Sequence, residues 1–489
     1  MPFPRPPRAT VSALLRAAAA AALAVVLPLA AAAPVAAQTA SNPAISSVAP
    51  DPSALRGADG AFHVYASSDD WSDGAGHRLI PHFRSFDLVE WEYIGDAFAA
   101  RPAWAPAQSF LWAPDVHATA DGAVMYYSTG GRLPCIGRAS APGVEGPWAH
   151  DAAPIVCYGA DEPYQDLDPM DPEVVWTDDG PVLIMGNYEG IHAVPMNAGG
   201  TALDGEPVLL AGAGVEAPAV VERAGHTHLF TSAGLCCDGE ASQYRVLGGR
   251  AEGLMGPYVD RQDRPLVERG AGDVILRGND DWVGPGHVDV VTDDAGQDWM
   301  IYHAAPRGSA VLPNGIQRRY MMLDRLDWVD GWPVVGDGTP STTRPADPTV
   351  TLPVRLAAAG DATLRPPRDV LDAPVRLDST GAAYAGELRA VLTGPDKRRV
   401  PLRFVADGAD AGSLPVSVAA GGSADLLPAL RAPGPLAPGR YELVVSVGEA
   451  GGPARELAVF GLDVAADGSL EQGGGPLGSV GPGTGSLGS

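Results

Sequence analysis

Three acidic residues stand at similar places in the sequence, each close to a proline and just ahead of a short apolar run. Asp51 lies in PDPSAL, Asp171 in MDPEVV and Glu216 in VEAPAVV. Asp-Pro is also a frequent turn dipeptide, so repetition of structure alone is one explanation of the pattern. If the three carboxyl groups share one site, their charges repel and the pKa of at least one must rise. Such a site holds an acid that can donate a proton at neutral pH.

Glu216 has the most apolar sequence surroundings of the three acids. It stands between Val215 and Ala217, directly ahead of a β-rich run. Because an apolar environment favours the neutral form of a carboxyl group, Glu216 is the best candidate for the proton donor. A carboxylic acid with a raised pKa, placed opposite an ionised carboxylate, is the arrangement that cleaves glycosidic bonds. The pattern therefore indicates hydrolysis of a glycoside.

A repeat in the sequence indicates how these acids are brought together. Five segments share a turn with Asp or Gly followed by an apolar strand: ADGAFHVYAS (58–67), ADGAVMYYST (120–129), DDGPVLIMGN (178–187), RAGHTHLFTS (223–232) and DAGQDWMIYHA (294–304). Their spacing leaves room for about four strands in each unit, the content of one propeller blade. We predict a five-bladed β-propeller over residues 44–342, with an ordinary β-sandwich as the alternative. Acids just before the repeated strands then converge on the central funnel.

The remainder of the chain divides into three further regions. After Ser341, short strands between Pro and Gly turns predict an immunoglobulin-like β-sandwich over residues 346–466. Residues 467–489 contain nine glycines in 23 positions, which predicts a disordered tail. Residues 1–37 combine three arginines, an Ala-rich apolar run and small residues at the end, as in a cleavable secretory signal. The predicted fold class is therefore all-β, in an extracellular protein.

Charge and cysteine content restrict the partners. The net charge of −26 disfavours binding of nucleic acid or of anionic lipid through a basic patch. We also expect no membrane span after the signal and a monomeric protein. The even number of four cysteines favours disulfides, with Cys135 and Cys157 as a loop-closing pair. The adjacent Cys236 and Cys237 either form a strained ring or stay free. Neither spacing has the C-x-x-C form of a zinc site.

Residues 44–342 resemble glycoside hydrolase family 43, the five-bladed propeller enzymes that act on arabinose- and xylose-containing plant polysaccharides. The segments DPSALRGADGAFHVYAS, MDPEVVWTDDG and VEAPAVVERAGHTHLFTSAG occur in the order found in that family. The resemblance implies that Asp51 is the general base and Glu216 the general acid. It also implies that Asp171 tunes the pKa of the acid and orients it. An inverting mechanism follows, for which the carboxyls of base and acid stand about 6.5–9.5 Å apart.

Within the family, CCDGEASQYRVLGGRAEGLMGPYVD (236–260) and WVGPGHVDVV (282–291) look most like the arabinanases, which cut α-1,5-linked arabinan. The resemblance implies that His287 lies near a calcium ion in the channel, although a histidine satisfied by water or backbone is an equal alternative. Pro50 stands where arabinanases usually have His, and the CIGRAS segment is closer to other branches. Exo-acting α-L-arabinofuranosidase or β-xylosidase activity therefore remains an alternative.

Aromatic residues supply candidates for binding sugar rings. Trp112, in the WAPD turn near the predicted funnel, is the best of four candidates, the others being Trp104, Trp282 and Trp299. Tryptophans between blades are more often core residues than stacking platforms. Two further functions stay open: a carbohydrate-binding propeller without catalysis, and a retaining, fructan-directed hydrolase. The first predicts binding of arabinan without release of reducing sugar.

Overall fold

The structure of the protein is a computed structural model. It describes residues 41 to 480 apart from short internal stretches, namely 58–59, 132–133, 344–345, 351–353, 366–368, 380–382, 396, 407–408, 420, 435, 449–455, 466–469 and 472–475. The predicted signal peptide, residues 1–37, lies outside the described residues. The regular elements described are β-strands and one 3-10 turn at Gly239–Ala241, so the all-β prediction is confirmed. In that part of the chain no helix has the length and apolar character needed to cross a bilayer.

The first part of the chain consists of five sheets. Their strands are β1 (Ile45–Val48), β2 (Ser53–Arg56), β3 (Phe62–Tyr65), β4 (Pro81–Ser85), β5 (Glu92–Asp96), β6 (Leu111–Thr119), β7 (Gly122–Thr129), β8 (Cys135–Ala141), β9 (Ala149–His150), β10 (Val156–Cys157), β11 (Glu173–Thr177), β12 (Gly180–Asn187), β13 (Gly190–Pro195), β14 (Val208–Ala211), β15 (Val215–Arg223), β16 (His226–Ala233), β17 (Arg245–Ala251), β18 (Asp273–Leu276), β19 (Trp282–Thr292), β20 (Asp298–Pro306), β21 (Tyr320–Val329) and β22 (Trp332–Val335).

Each sheet is an antiparallel blade whose strands follow one another in the sequence. Blade 1 is β2 to β5, blade 2 is β6 to β10, blade 3 is β11 to β14 and blade 4 is β15 to β18. Blade 5 contains β19 to β22 together with β1. The first strand of each blade contacts the first strand of the next, and β19 contacts β2. The five blades therefore form a closed ring, the arrangement of a β-propeller.

The ring is closed by a strand from the start of the chain. In blade 5, β1 pairs with β21, so that Ile45 lies opposite Met321 and Val48 opposite Tyr320. Asn42 reinforces this junction, because its side-chain amide donates to Asp324 and accepts from the backbone N–H of Leu323. Backbone pairing of this kind removes the open sheet edge that an unclosed ring would leave.

The repeated segments form the inner hairpin of each blade. Their second strands are buried almost throughout, as in FHVY of β3 and the LIMG part of β12. Both faces of these strands pack against neighbouring blades, which explains why the runs are apolar instead of alternating. The glycine of each repeated turn has a positive φ between 78° and 141°, a conformation that disfavours other residues: Gly60, Gly122, Gly180, Gly225 and Gly296.

The second part of the chain contains only strands among the described residues. They are β23 (Val354–Ala358), β24 (Thr363–Arg365), β25 (Val370–Asp372), β26 (Val375–Ser379), β27 (Tyr384–Thr393), β28 (Arg399–Pro401), β29 (Arg403–Ala406), β30 (Ala409–Ala411), β31 (Leu414–Val418), β32 (Ser423–Leu426), β33 (Ala429–Arg431), β34 (Gly439–Gly448), β35 (Glu456–Val464), β36 (Leu470–Glu471) and β37 (Pro476–Val480). They form antiparallel sheets around one apolar core. The immunoglobulin-like arrangement stays a prediction.

The Gly-rich tail includes two short strands. Strands β36 and β37 lie within residues 467–489, and both pair with β35. The backbone of a Gly-rich segment can pair with the edge of an existing strand without burying side chains in a core. For the tail as a whole, disorder stays a prediction.

Candidate active site

One residue in each blade has a left-handed backbone at the start of the innermost strand. Their φ angles lie between 46° and 54°, and four of the five are followed by proline: Asp51, Ala113, Asp171, Ala217 and His287. A non-glycine residue in this region is uncommon and strained. In three blades the conformation coincides with a break in the pairing register of the first two strands. The bulge turns the chain and directs these residues toward the centre of the ring.

The backbone N–H of each left-handed residue is held by a side chain of the preceding blade. The donor-to-acceptor distances are between 2.7 and 3.2 Å, for Ala113 to Ser67 Oγ, Asp171 to Ser128 Oγ, His287 to Ser232 Oγ, Asp51 to His303 Nδ1 and Ala217 to Asp171 Oδ2. Four acceptors come from the residue that ends the repeated strand. Blade 3 has Gly186 at that place, and the carboxylate of Asp171 replaces the missing acceptor.

Glu216 does not occupy the position that Asp51 and Asp171 share. The left-handed residue of blade 4 is Ala217, and Glu216 stands one place before it, where blade 2 has Trp112. The prediction that one blade position is acidic three times is therefore wrong for Glu216. The reason is that the proline follows Asp51 directly but follows Glu216 only after one residue.

A cavity of about 430 Å³ opens over these inner strands. All five residues predicted for the site line it, namely Asp51, Asp171, Glu216, Trp112 and His287. Asp51 and Asp171 are buried at its floor, with 8% and 9% of their surface exposed, while Glu216 is half-buried. The cavity therefore offers a buried group of carboxyls with open space above it.

Asp51 lies among cationic and polar partners. The Arg319 guanidinium is 3.0 Å from Oδ1 and 3.2 Å from Oδ2, and Nδ1 of His287 is 3.3 Å from Oδ1. Burial raises the pKa of Asp51, but the charges of Arg319 and His287 more than offset it, so that the pKa lies well below 3.8. Asp51 is therefore ionised throughout the physiological pH range.

The surroundings of Glu216 and Asp171 raise the pKa values of these two carboxyls, in contrast to that of Asp51. Burial raises the pKa of Glu216 to about 8, with a further contribution from the negative charge of Asp171. A hydrogen bond with Tyr244 and the charge of His287 oppose this rise. Burial also raises the pKa of Asp171 to about 6, against the attraction of His287. At neutral pH the cavity thus holds a protonated Glu216 and an ionised Asp51.

The pKa values of the two histidines beside Asp51 shift in opposite directions. Burial lowers the pKa of His287, but Asp51 more than compensates, so the net shift is upward. Burial lowers the pKa of His303 to about 4, which makes this ring neutral. Since Nδ1 of His303 accepts the backbone N–H of Asp51, its 3.2 Å approach to Oδ1 of Asp51 is not an ion pair. Arg319 therefore brings a fixed positive charge to Asp51, and His287 adds one when it is protonated.

Trp112 stacks on a second aromatic residue at the cavity. The rings of Trp112 and Phe110 are nearly parallel, with centroids 5.2 Å apart, and both line the cavity. Gly130 makes room for this pair, because a Cβ there would lie 2.5 Å from the Trp112 ring. In contrast, Trp282 and Trp299 are buried in the core. The structure thus places Trp112, among these candidates, where it can contact a ligand.

Several residues of the site were missed by the sequence analysis: Tyr244, Arg319 and Asp69 line the cavity, and His303 is buried beside Asp51. His303 could have been found, because it aligns with Ser67, Ser128 and Ser232 at the end of the repeated strand. The ring of Tyr244 packs against Gly286, where a Cβ would come within 2.2 Å of it. The second glycine of GPGH therefore leaves the room that this ring occupies. Arg319 and its second partner Asp69, 3.3 Å away, carry no sequence pattern that distinguishes them.

The donor set does not form a cage for calcium. Among the residues the structure describes, no group of three or more His, Cys, Asp and Glu side chains is placed to hold a metal ion. Calcium prefers six to eight oxygen ligands, whereas His287 offers one nitrogen. An ion bound here would take most of its ligands from water, and no chemical step is derived through it.

A second group of acids lies at another cavity, of about 310 Å³. Asp115, Glu173 and Asp289 each accept a backbone N–H from the next blade, at 2.7, 3.1 and 2.6 Å. Val116 donates in the same way to Ser53. One oxygen of each acid thus joins two neighbouring blades. These acids line a cavity separate from the candidate site.

Both possible disulfides are formed. Cys135 is bonded to Cys157, which confirms the predicted loop-closing pair, and joins β8 to β10. Cys236 is bonded to Cys237, which decides between the ring and the free thiols that the sequence left open. Both residues of this second disulfide line the candidate active site.

Comparisons with known proteins identify the family of the chain. The model of glycosyl hydrolases family 43 matches residues 40–333. The extracellular endo-alpha-(1->5)-L-arabinanase 1 of Bacillus subtilis is 29% identical over 233 residues, which cover 45% of this chain and 68% of that protein. The extracellular exo-alpha-(1->5)-L-arabinofuranosidase of Cellvibrio japonicus is 30% identical over 293 residues, covering 53% and 80%.

Solved structures support the fold. The alpha-L-arabinanase of Cellvibrio cellulosa complexed with arabinohexaose aligns with a TM-score of 0.52 at 24% identity, covering 61% of this chain and 99% of that one. The family match extends over more than half of the sequence and contains blades 1 to 4 and all of blade 5 except the last two residues of β22. The chain therefore belongs to glycosyl hydrolases family 43.

Proposed function

We propose that the protein is an inverting glycoside hydrolase that cuts the α-1,5-linked backbone of arabinan, with Asp51 as general base and Glu216 as general acid. The observation that carries this assignment is that one cavity holds both Asp51, 3.0 Å from the Arg319 guanidinium, and Glu216, whose pKa is raised by burial and by the charge of Asp171. Membership of the family supplies the reaction class, hydrolysis of a glycosidic bond.

The reaction follows from the charges. The ionised Asp51 accepts a proton from a water molecule while the oxygen of that water bonds to the anomeric carbon. Glu216 gives its proton to the glycosidic oxygen, the bond between that oxygen and the anomeric carbon breaks, and each product gains a hydroxyl group. Asp171 contributes through its negative charge, which keeps the proton on Glu216 until the transfer. Arg319 and His287 stabilise the anionic Asp51 that must receive the proton.

The substrate is inferred from the relatives. The names of the endo-acting Bacillus protein and the exo-acting Cellvibrio protein both refer to α-(1→5)-linked L-arabinose. Further relatives from Aspergillus flavus are named probable arabinan endo-1,5-alpha-L-arabinosidases. We therefore favour endo action, with exo-acting arabinofuranosidase activity as the second candidate because of the Cellvibrio relative.

Product size tests both candidates. Purified protein is incubated with debranched arabinan, arabinoxylan and xylo-oligosaccharides, and the products are separated by chromatography. Endo action yields a series of arabino-oligosaccharides early in the reaction, whereas exo action yields a single small product from the start. Release of xylose alone would assign the protein to the xylosidase alternative, and binding of arabinan without any product would favour the non-catalytic propeller.

Four further proposals concern the location of the protein, its oligomeric state, the second part of the chain and a bound ion. We infer an extracellular, monomeric protein, in line with the extracellular relatives and the predicted signal at residues 1–37. We also infer that the second part of the chain is an immunoglobulin-like accessory domain. His287 is the residue that would contact a calcium ion in the channel. Metal analysis of the purified protein and size-exclusion chromatography with light scattering test the ion and the monomer.

A further inference from the structure

The vicinal disulfide occupies an exposed part of the active-site cavity. Cys236 and Cys237 follow β16 of blade 4, the blade that carries Glu216, and both line the cavity. Cys237 is exposed, whereas Asp51 and Asp171 are buried at the floor. The disulfide therefore lies nearer the mouth of the cavity than the carboxyls that act on the bond.

Exposed apolar side chains lie beside the disulfide, on and next to a loop that also carries the exposed acids Asp238 and Glu240. Val311 also lines the cavity and is 44% exposed, and Leu235, next to Cys236, is 62% exposed. A disulfide has no S–H group and needs no hydrogen-bond partner, and its sulfur atoms are polarisable. Exposed apolar side chains at the mouth of a polar cavity indicate a contact surface for a ligand.

The loop that carries the disulfide is fixed in place. Oγ of Ser242 lies 2.7 Å from the carbonyl oxygen of Leu235 and 3.2 Å from that of Cys236. The hydroxyl of Tyr188 donates to the carbonyl of Gly234 at 2.6 Å. A carboxylate oxygen of Glu240 accepts the N–H of Ala310, which ties this loop to the one that bears Val311. The apolar surface is thus held in position before any ligand binds.

We propose that the Cys236–Cys237 disulfide and Val311 form an apolar wall that contacts the C–H face of an arabinofuranosyl residue adjacent to the one whose bond is cleaved. This inference rests on the proposed function for the identity of the sugar. The wall is formed by residues of blades 4 and 5, whereas Trp112 and Phe110 lie at the start of the first strand of blade 2. A chain of several sugars could then be bound from two sides of the cavity.

Two variants test the wall. In Cys236→Ser/Cys237→Ser, hydroxyl groups replace the sulfurs at similar size, and KM for a linear α-1,5-arabino-oligosaccharide should rise about three- to tenfold, while kcat changes less than twofold. Val311→Ser keeps the disulfide and should raise KM about two- to threefold. The matched control is Cys135→Ser/Cys157→Ser, which removes the other disulfide and should lower the melting temperature without changing KM.

Binding under reduction gives a second measurement that does not depend on folding of the serine variants. In the Glu216→Gln protein, the Kd for the same oligosaccharide is measured by calorimetry with and without a phosphine reductant. The reductant supplies two electrons, each sulfur takes up a proton, and the freed side chains can rotate away. Kd should rise about three- to tenfold. The reductant should have no such effect when Cys236 and Cys237 are also serine.

The outcomes separate this inference from the proposed function. If the unmodified protein releases product from arabinan but KM and Kd stay within twofold in the variants and under reduction, the wall is wrong and the function stands. If the unmodified protein neither binds nor cleaves any arabinan, the proposed function has failed, and the inference fails with it.

Discussion

Asp171 accepts a hydrogen bond from the backbone N–H of Ala217, at 3.1 Å, and so is fastened to the residue that follows Glu216. In the other blades a serine or histidine at the end of the repeated strand fills this role, but blade 3 has Gly186 there. The absence of a side chain at residue 186 therefore gives Asp171 two tasks. It holds blade 4 in place, and its negative charge raises the pKa of Glu216.

Asp171→Asn should move the alkaline limit of activity to lower pH. Glu216 must carry a proton to act, so activity is lost as pH rises through its pKa of about 8. Removal of the Asp171 charge lowers that pKa, although burial keeps it above the ordinary value of 4.5. The profile of kcat/KM against pH measures the shift. An unchanged alkaline limb would show that Glu216 is not the acid that Asp171 controls.

Glu216→Gln should reduce kcat on arabinan by at least about a thousandfold, because an alkoxide leaving group needs a proton. An aryl arabinoside with an activated leaving group should lose much less, since its phenolate departs without help. Asp51→Asn should damage both reactions, because attack by water needs the base in either case. Equal losses for Glu216→Gln on both substrates, in a folded protein, would contradict the role of Glu216.

Arg319→Met should raise the acid limit of activity and destabilise the fold. Without the guanidinium the pKa of Asp51 rises, so the base is protonated, and activity lost, at a higher pH than in the unmodified protein. Two buried carboxylates, Asp51 and Asp69, also lose their partner, which costs about 3 kcal/mol.

Two controls accompany this variant. Arg319→Lys retains the charge and should keep most of the pH profile. Arg223→Met removes a similar partner from Asp298, away from the cavity, and should lower the melting temperature without moving the acid limit. If Arg319→Met left the acid limb where it was, Arg319 would be structural only.

The serines that hold the left-handed residues should have separable effects. Ser128→Ala frees the N–H of Asp171, and Ser67→Ala frees that of Ala113, the neighbour of Trp112. Each change leaves a buried donor unpaired and should cost about 1–2 kcal/mol of unfolding free energy. Ser128→Ala should lower kcat about tenfold by displacing Asp171, whereas Ser67→Ala should act on KM through Trp112. Kinetics on a linear oligosaccharide, with denaturant unfolding, distinguish these effects.

Much of this arrangement was predictable from the sequence, and the exceptions have a common physical cause. The repeated turns and strands predict the blades, because the glycine turn and the buried strand are local features. The prolines that follow the three acids are also a local feature, and they mark these acids in the sequence. The one-residue offset of Glu216 was visible in the sequence, because proline follows Asp51 and Asp171 directly but follows Glu216 only after one residue. The partners that set the protonation of the acids carry no such signal, because Arg319 reaches Asp51 only after blade 5 closes on blade 1. Likewise, Tyr244 reaches Glu216 only once the strands of blade 4 have paired.

The pairing of β1 with β21 has a consequence for the order of synthesis. Ile45 is made early, yet its partner Met321 appears only after four complete blades have been added to the chain. Until then β1 has no strand to pair with, and the last blade cannot be finished. Contacts this far apart in sequence slow folding, because a long loop must close before they form. The closed ring should thus be acquired in one late step, after translation has passed residue 321.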